Sequence, residues 1–208
     1  EICACLVGSE MCIRDSLYMY NMGNVILQVT QNCNLRCEYC VYSGSYINRV
    51  HTNKRMSFET AVKTIDFLAA HSLNCNEVSI GFYGGEPLLE IELIKKAVSY
   101  AKEVFGEKKV NFNMTTNATL LNMDIADFLV QNDFNITISL DGPRNIHNKN
   151  RIFANSNKGT FDLIMENIAL IREKYPFFDK KISFNAVIDL KQNVSCTNEF
   201  FLNYDTVK

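Results

Sequence analysis

Residues 25–40 read VILQVTQNCNLRCEYC: an apolar, alternating run from Val25 to Thr30, then three cysteines, Cys33, Cys37 and Cys40, in quick succession. The run predicts a β-strand, and the spacing C-x3-C-x2-C puts three thiols on one short loop at its end. Iron–sulfur clusters ordinarily take four cysteine ligands, so three on one loop predict a four-iron cluster with one iron open to another molecule. A structural zinc site is the alternative. It requires a fourth ligand, for which His51 and Cys75 are the nearest candidates.

Downstream, the apolar pattern switches repeatedly between periods of two and 3.6, which predicts strands alternating with helices. Ser57 is placed to cap a helix with Phe58, Ala61, Val62, Ile65, Leu68 and Ala69 on one face. Val78, Ile80 and Phe82 alternate as a second strand. A helix from about Ile91 carries Ile94, Ala97, Val98, Ala101 and Val104 to a cap at Gly106. Val110, Phe112 and Met114 give a third strand, Ile125, Phe128 and Leu129 a shorter helix, and Ile136 to Leu140 a fourth strand closed by the turn Asp141-Gly142-Pro143. Thr160 is expected to cap a longer helix through Phe161, Ile164, Met165, Ile168 and Ile171, stopped near Pro176. Ile182, Phe184, Ala186 and Ile188 form a fifth strand, with a last helix over 200–208. Strict alternation predicts an α/β fold, a parallel sheet with its helices outside.

The chain has 208 residues, 21 basic and 23 acidic, and 47% of it is hydrophobic, enough to bury a core. Residues 6–16, LVGSEMCIRDS, resemble an in-frame translation of a sequencing adapter, so residues 1–16 are set apart from the domain expected over 17–208. Without them the chain loses one basic and three acidic side chains and is formally neutral. A neutral chain gives no reason to expect nucleic acid as a partner, and no run is long enough to span a bilayer. Of the eight cysteines, five remain, three of them clustered. That pattern predicts a metal site in a reducing, cytoplasmic setting rather than a disulfide framework.

In such a sheet, chemistry belongs at the C-terminal ends of the strands. Four marked stretches fall there. The cysteine loop follows the first strand. Tyr83-Gly84-Gly85-Glu86-Pro87 follows the second, with two glycines that allow a close backbone approach to a ligand, a carboxylate, and a proline that stiffens the turn. Thr115-Thr116-Asn117-Ala118 follows the third. Ser139-Leu140-Asp141-Gly142-Pro143, with His147 and Arg151 beyond, follows the fourth. Ser139 is either a ligand-binding hydroxyl or a turn former, and Arg151 either a charge-assisted contact to a carboxylate or a solvated loop residue. His147 reads as a structural histidine.

The cysteine loop, with Tyr39 before its last cysteine, resembles the signature of the radical S-adenosylmethionine (radical SAM) enzymes. The resemblance implies a partial (β/α)6 TIM-like barrel, here ending after about five units. It implies a [4Fe-4S] cluster on Cys33, Cys37 and Cys40, and S-adenosylmethionine (AdoMet) bound at the open iron and cleaved when the cluster is reduced by an external one-electron donor. The second stretch resembles the family's GGEP motif, whose backbone and glutamate hold the AdoMet amino group, which implies roles for Gly84, Gly85, Glu86 and Pro87. The third resembles its Thr-Asn-Gly turn, implicating Asn117, with Ala118 in place of glycine. The fourth resembles the SLDGP element of sulfatase-maturing and peptide-modifying members, with Asn148 in place of the aspartate that usually follows the histidine. It implies AdoMet contacts from Ser139 and Arg151, while Tyr39 is implied at the adenine.

Together these motifs are most similar to the subgroup bearing a cysteine-rich C-terminal extension, called SPASM. Tyr42-Ser43-Gly44-Ser45-Tyr46 and Phe82-Tyr83-Gly84-Gly85 are similar to maturases of ribosomally made cysteine-rich peptides. The resemblance therefore implies a peptide or protein substrate and thioether formation, with formylglycine formation by a sulfatase maturase as the alternative. A non-catalytic zinc module is the alternative outside enzymes.

Overall fold

The computed structural model of the protein describes residues 20–42, 47, 51–188 and 194–203. Residues 1–16, most of the Tyr42–Tyr46 stretch and residues 204–208 lie outside these.

Five strands form one parallel sheet in the order of the sequence: β1 (Asn24–Thr30), β2 (Glu77–Gly84), β3 (Lys109–Thr116), β4 (Asn135–Ser139) and β5 (Ile182–Asn185). The helices between them are α1 (Phe58–His71), α2 (Ile91–Phe105), α3 (Met123–Gln131), α4 (Arg144–Asn150) and α5 (Phe161–Lys174), with α6 (Val194–Asn203) after β5. A sheet whose strand order never reverses lacks the switch point of doubly wound folds and is built like part of a β/α barrel.

Alternation along each strand decides which face meets the helices. Leu27 and Val29, Val78, Ile80 and Phe82, Phe112 and Met114, and Ile136 and Ile138 are buried together with Ile65, Leu68, Ile94, Leu129 and Ile168 of the helices. Within this core Phe82, Phe112 and Phe134 stack, with ring centroids 5.4–6.4 Å apart, an arrangement that adds to their area burial. The other face is concave and polar: Asn24, Ser79, Asn113, Asn135, Thr137 and Ser183 line a cavity of about 250 Å³ over Gly81 and Ile26. Asn113 donates to Ser79 (2.6 Å) and accepts from Asn135 (3.2 Å), a ladder of neutral amides and hydroxyls across three strands.

Most expected elements form where the pattern places them. Ser57 caps α1, its hydroxyl accepting from the Thr60 N–H at 3.1 Å, and Gly106 ends α2 at φ +56°. Five details differ. The last helix, expected over 200–208, is the segment Val194–Asn203 and so begins earlier. Phe58, expected on the buried face of α1, is exposed and meets the ring of Tyr100 edge-on. β5 is only four residues long, with Ala186 to Ile188 beyond it. The short helix α4 was not expected, because seven residues with only Ile146 apolar carry no periodic signal. Thr160 stands at the N-terminus of α5 but does not cap it. Its hydroxyl donates to the Arg151 carbonyl (3.1 Å) and meets His147 Nε2 (2.9 Å), and Asn148 Oδ1 accepts from the Phe161 N–H instead (3.0 Å). The asparagine thus supplies the capping oxygen that Thr160 does not.

Candidate functional site

Each loop at the C-terminal edge of the sheet is tied to the next by backbone and buried side chains. The cysteine loop leaves β1 through Thr30, whose hydroxyl accepts from the Asn32 N–H (3.1 Å). Segment 34–36 pairs with 152–154: Arg36 N–H donates to the Ile152 carbonyl (3.0 Å) and Ala154 N–H to that of Asn34 (2.9 Å). The Arg36 guanidinium folds over its own loop onto the carbonyls of Cys33 and Leu35, both at 2.7 Å.

Cys33, Cys37 and Cys40 all line one cavity of about 270 Å³, and no carboxylate or imidazole is among the described residues of its wall. The Leu35 N–H donates to Cys33 Sγ (3.4 Å) and the Tyr42 N–H to Cys40 Sγ (3.3 Å), so two sulfurs already face donors suited to thiolates. As free thiols, burial pushes Cys33 up to about 12 and Cys37 up to about 11. A bound cation would hold such buried sulfurs ionised. A purely sulfur donor set of this kind suits an iron–sulfur cluster. The zinc reading loses both of its proposed fourth ligands. His51 is not among the described residues lining that cavity, its Nε2 lying 3.1 Å from the Arg36 guanidinium, and Cys75 sits before β2, at the opposite edge of the sheet, beside Gly23. Among the described residues no three His, Cys, Asp or Glu side chains gather about a point where a single ion would sit.

Gly84 and Gly85 also line the cavity, but their lack of a side chain serves a different contact from the one expected. A Cβ on Gly85 would stand 2.2 Å from the Asn32 carbonyl oxygen, and one on Gly84 2.2 Å from that of Thr30. The close approach is therefore between the β2 loop and the cysteine loop, sealed by Gly85 N–H to Thr30 O and Glu86 N–H to Asn32 O, both 2.9 Å. The backbone, rather than a bulky side chain, is what these two residues present to the cavity.

Glu86 departs from the expectation that its carboxylate meets a ligand. It is fully buried and absent from the cavity wall. Oε1 accepts from the Thr116 hydroxyl (2.6 Å) and the Leu88 N–H (3.0 Å), and Oε2 from the Asn117 N–H (2.7 Å). This carboxylate joins the ends of β2 and β3, and burial pushes it up to about 7 despite those donors. Pro87 opens a short 3-10 helix, also buried, so it shapes the turn from behind. Asn117 lines the cavity, but its amide is turned onto the cysteine loop, donating to Asn34 Oδ1 at 2.9 Å and reaching Cys33 Sγ at 3.8 Å. Ala118 takes the left-handed conformation, φ +58°, which a glycine would take without strain.

Ser139 and Arg151 both reach the cavity wall. Arg151 is not a solvated loop arginine. It is buried, its Nε donates to Asp141 Oδ2 at 2.9 Å, and its guanidinium lies 5.5 Å from the centre of the Tyr39 ring. The Tyr39 hydroxyl donates to the same Asp141 oxygen, and the Val187 N–H to the other oxygen at 3.1 Å. Asp141 is thus the hub that fixes the cysteine loop, the β4 loop and the end of β5 to one another. Reading the sequence as a turn at Asp141-Gly142-Pro143 overlooks it; an acidic residue between a strand-end serine and a downstream arginine is the signal that could have found it. His147 is structural as expected: fully buried, accepting from the Asp141 N–H (3.3 Å), and lowered by burial to about 4.

A sequence model of the radical SAM superfamily matches residues 27–200. The chain is 38% identical over 157 residues to an uncharacterized protein of Methanocaldococcus jannaschii, covering 75% of this chain and 51% of that one. It is 33% identical over 180 residues to a cysteine-type anaerobic sulfatase-maturating enzyme of Clostridium novyi, covering 85% and 46%. Among solved structures, native anSMEcpe with bound AdoMet superposes with a TM-score of 0.73 at 27% identity, covering 88% of this chain and 50% of that one, and the same protein is also solved with AdoMet and a Cp18Cys peptide. The chain spans about half the length of the curated relatives it matches.

Proposed function

The chain belongs to the radical SAM superfamily, whose members use a [4Fe-4S] cluster and AdoMet, and from that membership we propose that it abstracts a hydrogen atom from a peptide or protein substrate. The observation that carries the reading is the convergence of Cys33, Cys37, Cys40, Gly84, Gly85, Asn117, Ser139 and Arg151 on one cavity from four separate strand ends. Cys33, Cys37 and Cys40 hold three irons. The backbone at Gly84 and Gly85 offers carbonyls to the AdoMet amino group, and Ser139 and Arg151 bind its carboxylate. Asp141 aims Arg151 and, through the Tyr39 hydroxyl, fixes the loop segment between Cys37 and Cys40. When bound and reduced, the cluster supplies the electron that cleaves AdoMet and thereby the radical that removes hydrogen.

The concave face below the cavity supports a peptide as the substrate. Its amides and hydroxyls match the donors and acceptors of a peptide backbone, and among the described residues lining it there is no charged side chain to select a phosphate or carboxylate. Two reactions fit such a substrate. One is thioether formation in a cysteine-rich precursor, with two hydrogens lost per cross-link. The other is oxidation of a cysteine to formylglycine, a reading favoured by the likeness to the Clostridium novyi enzyme.

The test is anaerobic reconstitution followed by low-temperature electron paramagnetic resonance with and without AdoMet, then incubation with a cysteine-containing sulfatase peptide and with a cysteine-rich precursor peptide. A four-iron signal altered by AdoMet, with release of 5'-deoxyadenosine, is expected. An aldehyde on the sulfatase peptide selects formylglycine formation, and loss of hydrogen pairs from the precursor selects cross-linking. A signal unchanged by AdoMet would overturn the proposal.

A further inference from the structure

Beside Cys33 the end of β3 forms a closed set of side-chain hydrogen bonds with the cysteine loop. Asn117 Nδ2 donates to Asn34 Oδ1 at 2.9 Å and lies 3.8 Å from Cys33 Sγ. Its carbonyl oxygen accepts from both the N–H (3.0 Å) and the hydroxyl (2.7 Å) of Thr119, and that hydroxyl accepts from Asn34 Nδ2 at 2.8 Å. The ring Asn34–Asn117–Thr119 is closed, and Asn117 and Thr119 are buried, 5% and 7% exposed. With its oxygen held by two donors, the Asn117 amide has one orientation, and its N–H2 faces the cysteine loop. The Leu35 N–H approaches the same sulfur, so Cys33 faces two N–H donors from two segments.

Hydrogen bonds to cluster sulfurs favour the more negative, reduced state and so raise the reduction potential. Resting on the assignment of Cys33 as a cluster ligand, we propose that Asn117, oriented by Thr119 and Asn34, is a positioning residue that raises the potential of the cluster through its N–H to Cys33. It acts on the ease of electron entry rather than on AdoMet itself, which is a different role from the cofactor contact its motif implies.

The experiment is a redox titration of the reconstituted protein, poised with dithionite and mediators and followed by the four-iron resonance. Asn117→Leu keeps the bulk and the charge but removes the donor. It is expected to lower the midpoint enough to cut the reduced-to-oxidised ratio at fixed potential about tenfold, which is 59 mV for one electron. Thr119→Val frees the amide without deleting it and is expected to shift the midpoint the same way by less. A midpoint unchanged in Asn117→Leu at full iron content overturns the proposal. If that variant does not assemble a cluster, an unchanged midpoint in Thr119→Val overturns it instead. Failure of the unsubstituted protein to assemble a cluster at all would refute the underlying ligand assignment, an outcome separate from either.

Discussion

Nε of Arg151 lies 2.9 Å from Oδ2 of Asp141, and the two side chains, 10% and 2% exposed, form the most buried ion pair among the described residues. Breaking such a pair strands a charge in the interior, which costs about 3–5 kcal/mol, whereas replacing both partners with apolar groups costs far less. Asp141→Leu and Arg151→Met are each expected to lower the urea midpoint strongly, and the double variant to recover much of the loss. Equilibrium AdoMet binding separates the two roles of the arginine: the double variant, though restored in stability, is expected to bind AdoMet weakly. Unimpaired binding would remove Arg151 from the cofactor site.

Gly85 and Gly81 make a contrasting pair. A Cβ on Gly85 would fall 2.2 Å from the Asn32 carbonyl oxygen, and only backbone movement could relieve it. Gly85→Ala is therefore expected to cost about 1–3 kcal/mol and to pull the cysteine loop off β2, read as lost iron content after reconstitution. On Gly81 the nearest atom would be Ile26 Cγ1 at 3.4 Å. Gly81→Ala is expected to retain iron and to stabilise the strand by about 0.5 kcal/mol.

Glu86 and His147 give opposite pH dependences that overlap. Glu86, raised from 4.5 to about 7, is protonated in the folded chain while ionised in the unfolded one, so its contribution falls as pH rises from about 4.5 to 7. His147, lowered from 6.5 to about 4, is neutral when folded and charged when unfolded, so its contribution grows as pH rises from about 4 to 6.5. Each is worth about 3 kcal/mol, and in the intact protein they offset. In the cluster-free protein, Glu86→Gln should steepen the gain in stability from pH 4 to 6.5, and His147→Gln should expose the decline from 4.5 to 7. Denaturation midpoints across that range, compared with the unsubstituted protein, check both signs.

Replacement of cluster ligands should separate function from packing. Cys37→Ala is expected to lose most of the iron that the reconstituted protein carries, because two thiolates do not hold what three hold. Cys75→Ala, at the far edge of the sheet, is expected to keep the iron. Iron and sulfide analysis checks both, and iron loss in Cys75→Ala would reopen the question of the fourth ligand.

The alternation of strands and helices was legible because burial on one face of a strand or helix imposes a period on the sequence: Leu27 and Val29, or Ile94, Ala97, Val98 and Ala101, declare which side faces the core. The loop of Cys33, Cys37 and Cys40 was legible because ligand spacing on one loop is local. Helix α4 and the capping of α5 by Asn148 were not, since neither has a periodic or adjacent signal.

The sequence by itself therefore determined the β/α order, the three-thiol loop and the strand ends on which chemistry gathers. Only the tertiary structure decided what the side chains at those ends do. It turned Glu86 inward onto Thr116 and Asn117, spent the two glycines on packing against Thr30 and Asn32, and made Asp141 the partner of Tyr39 and Arg151. These contacts join residues tens of positions apart, and a side chain's partner across such distances is fixed by how strand ends meet in space, a relation that no local spacing in the chain records.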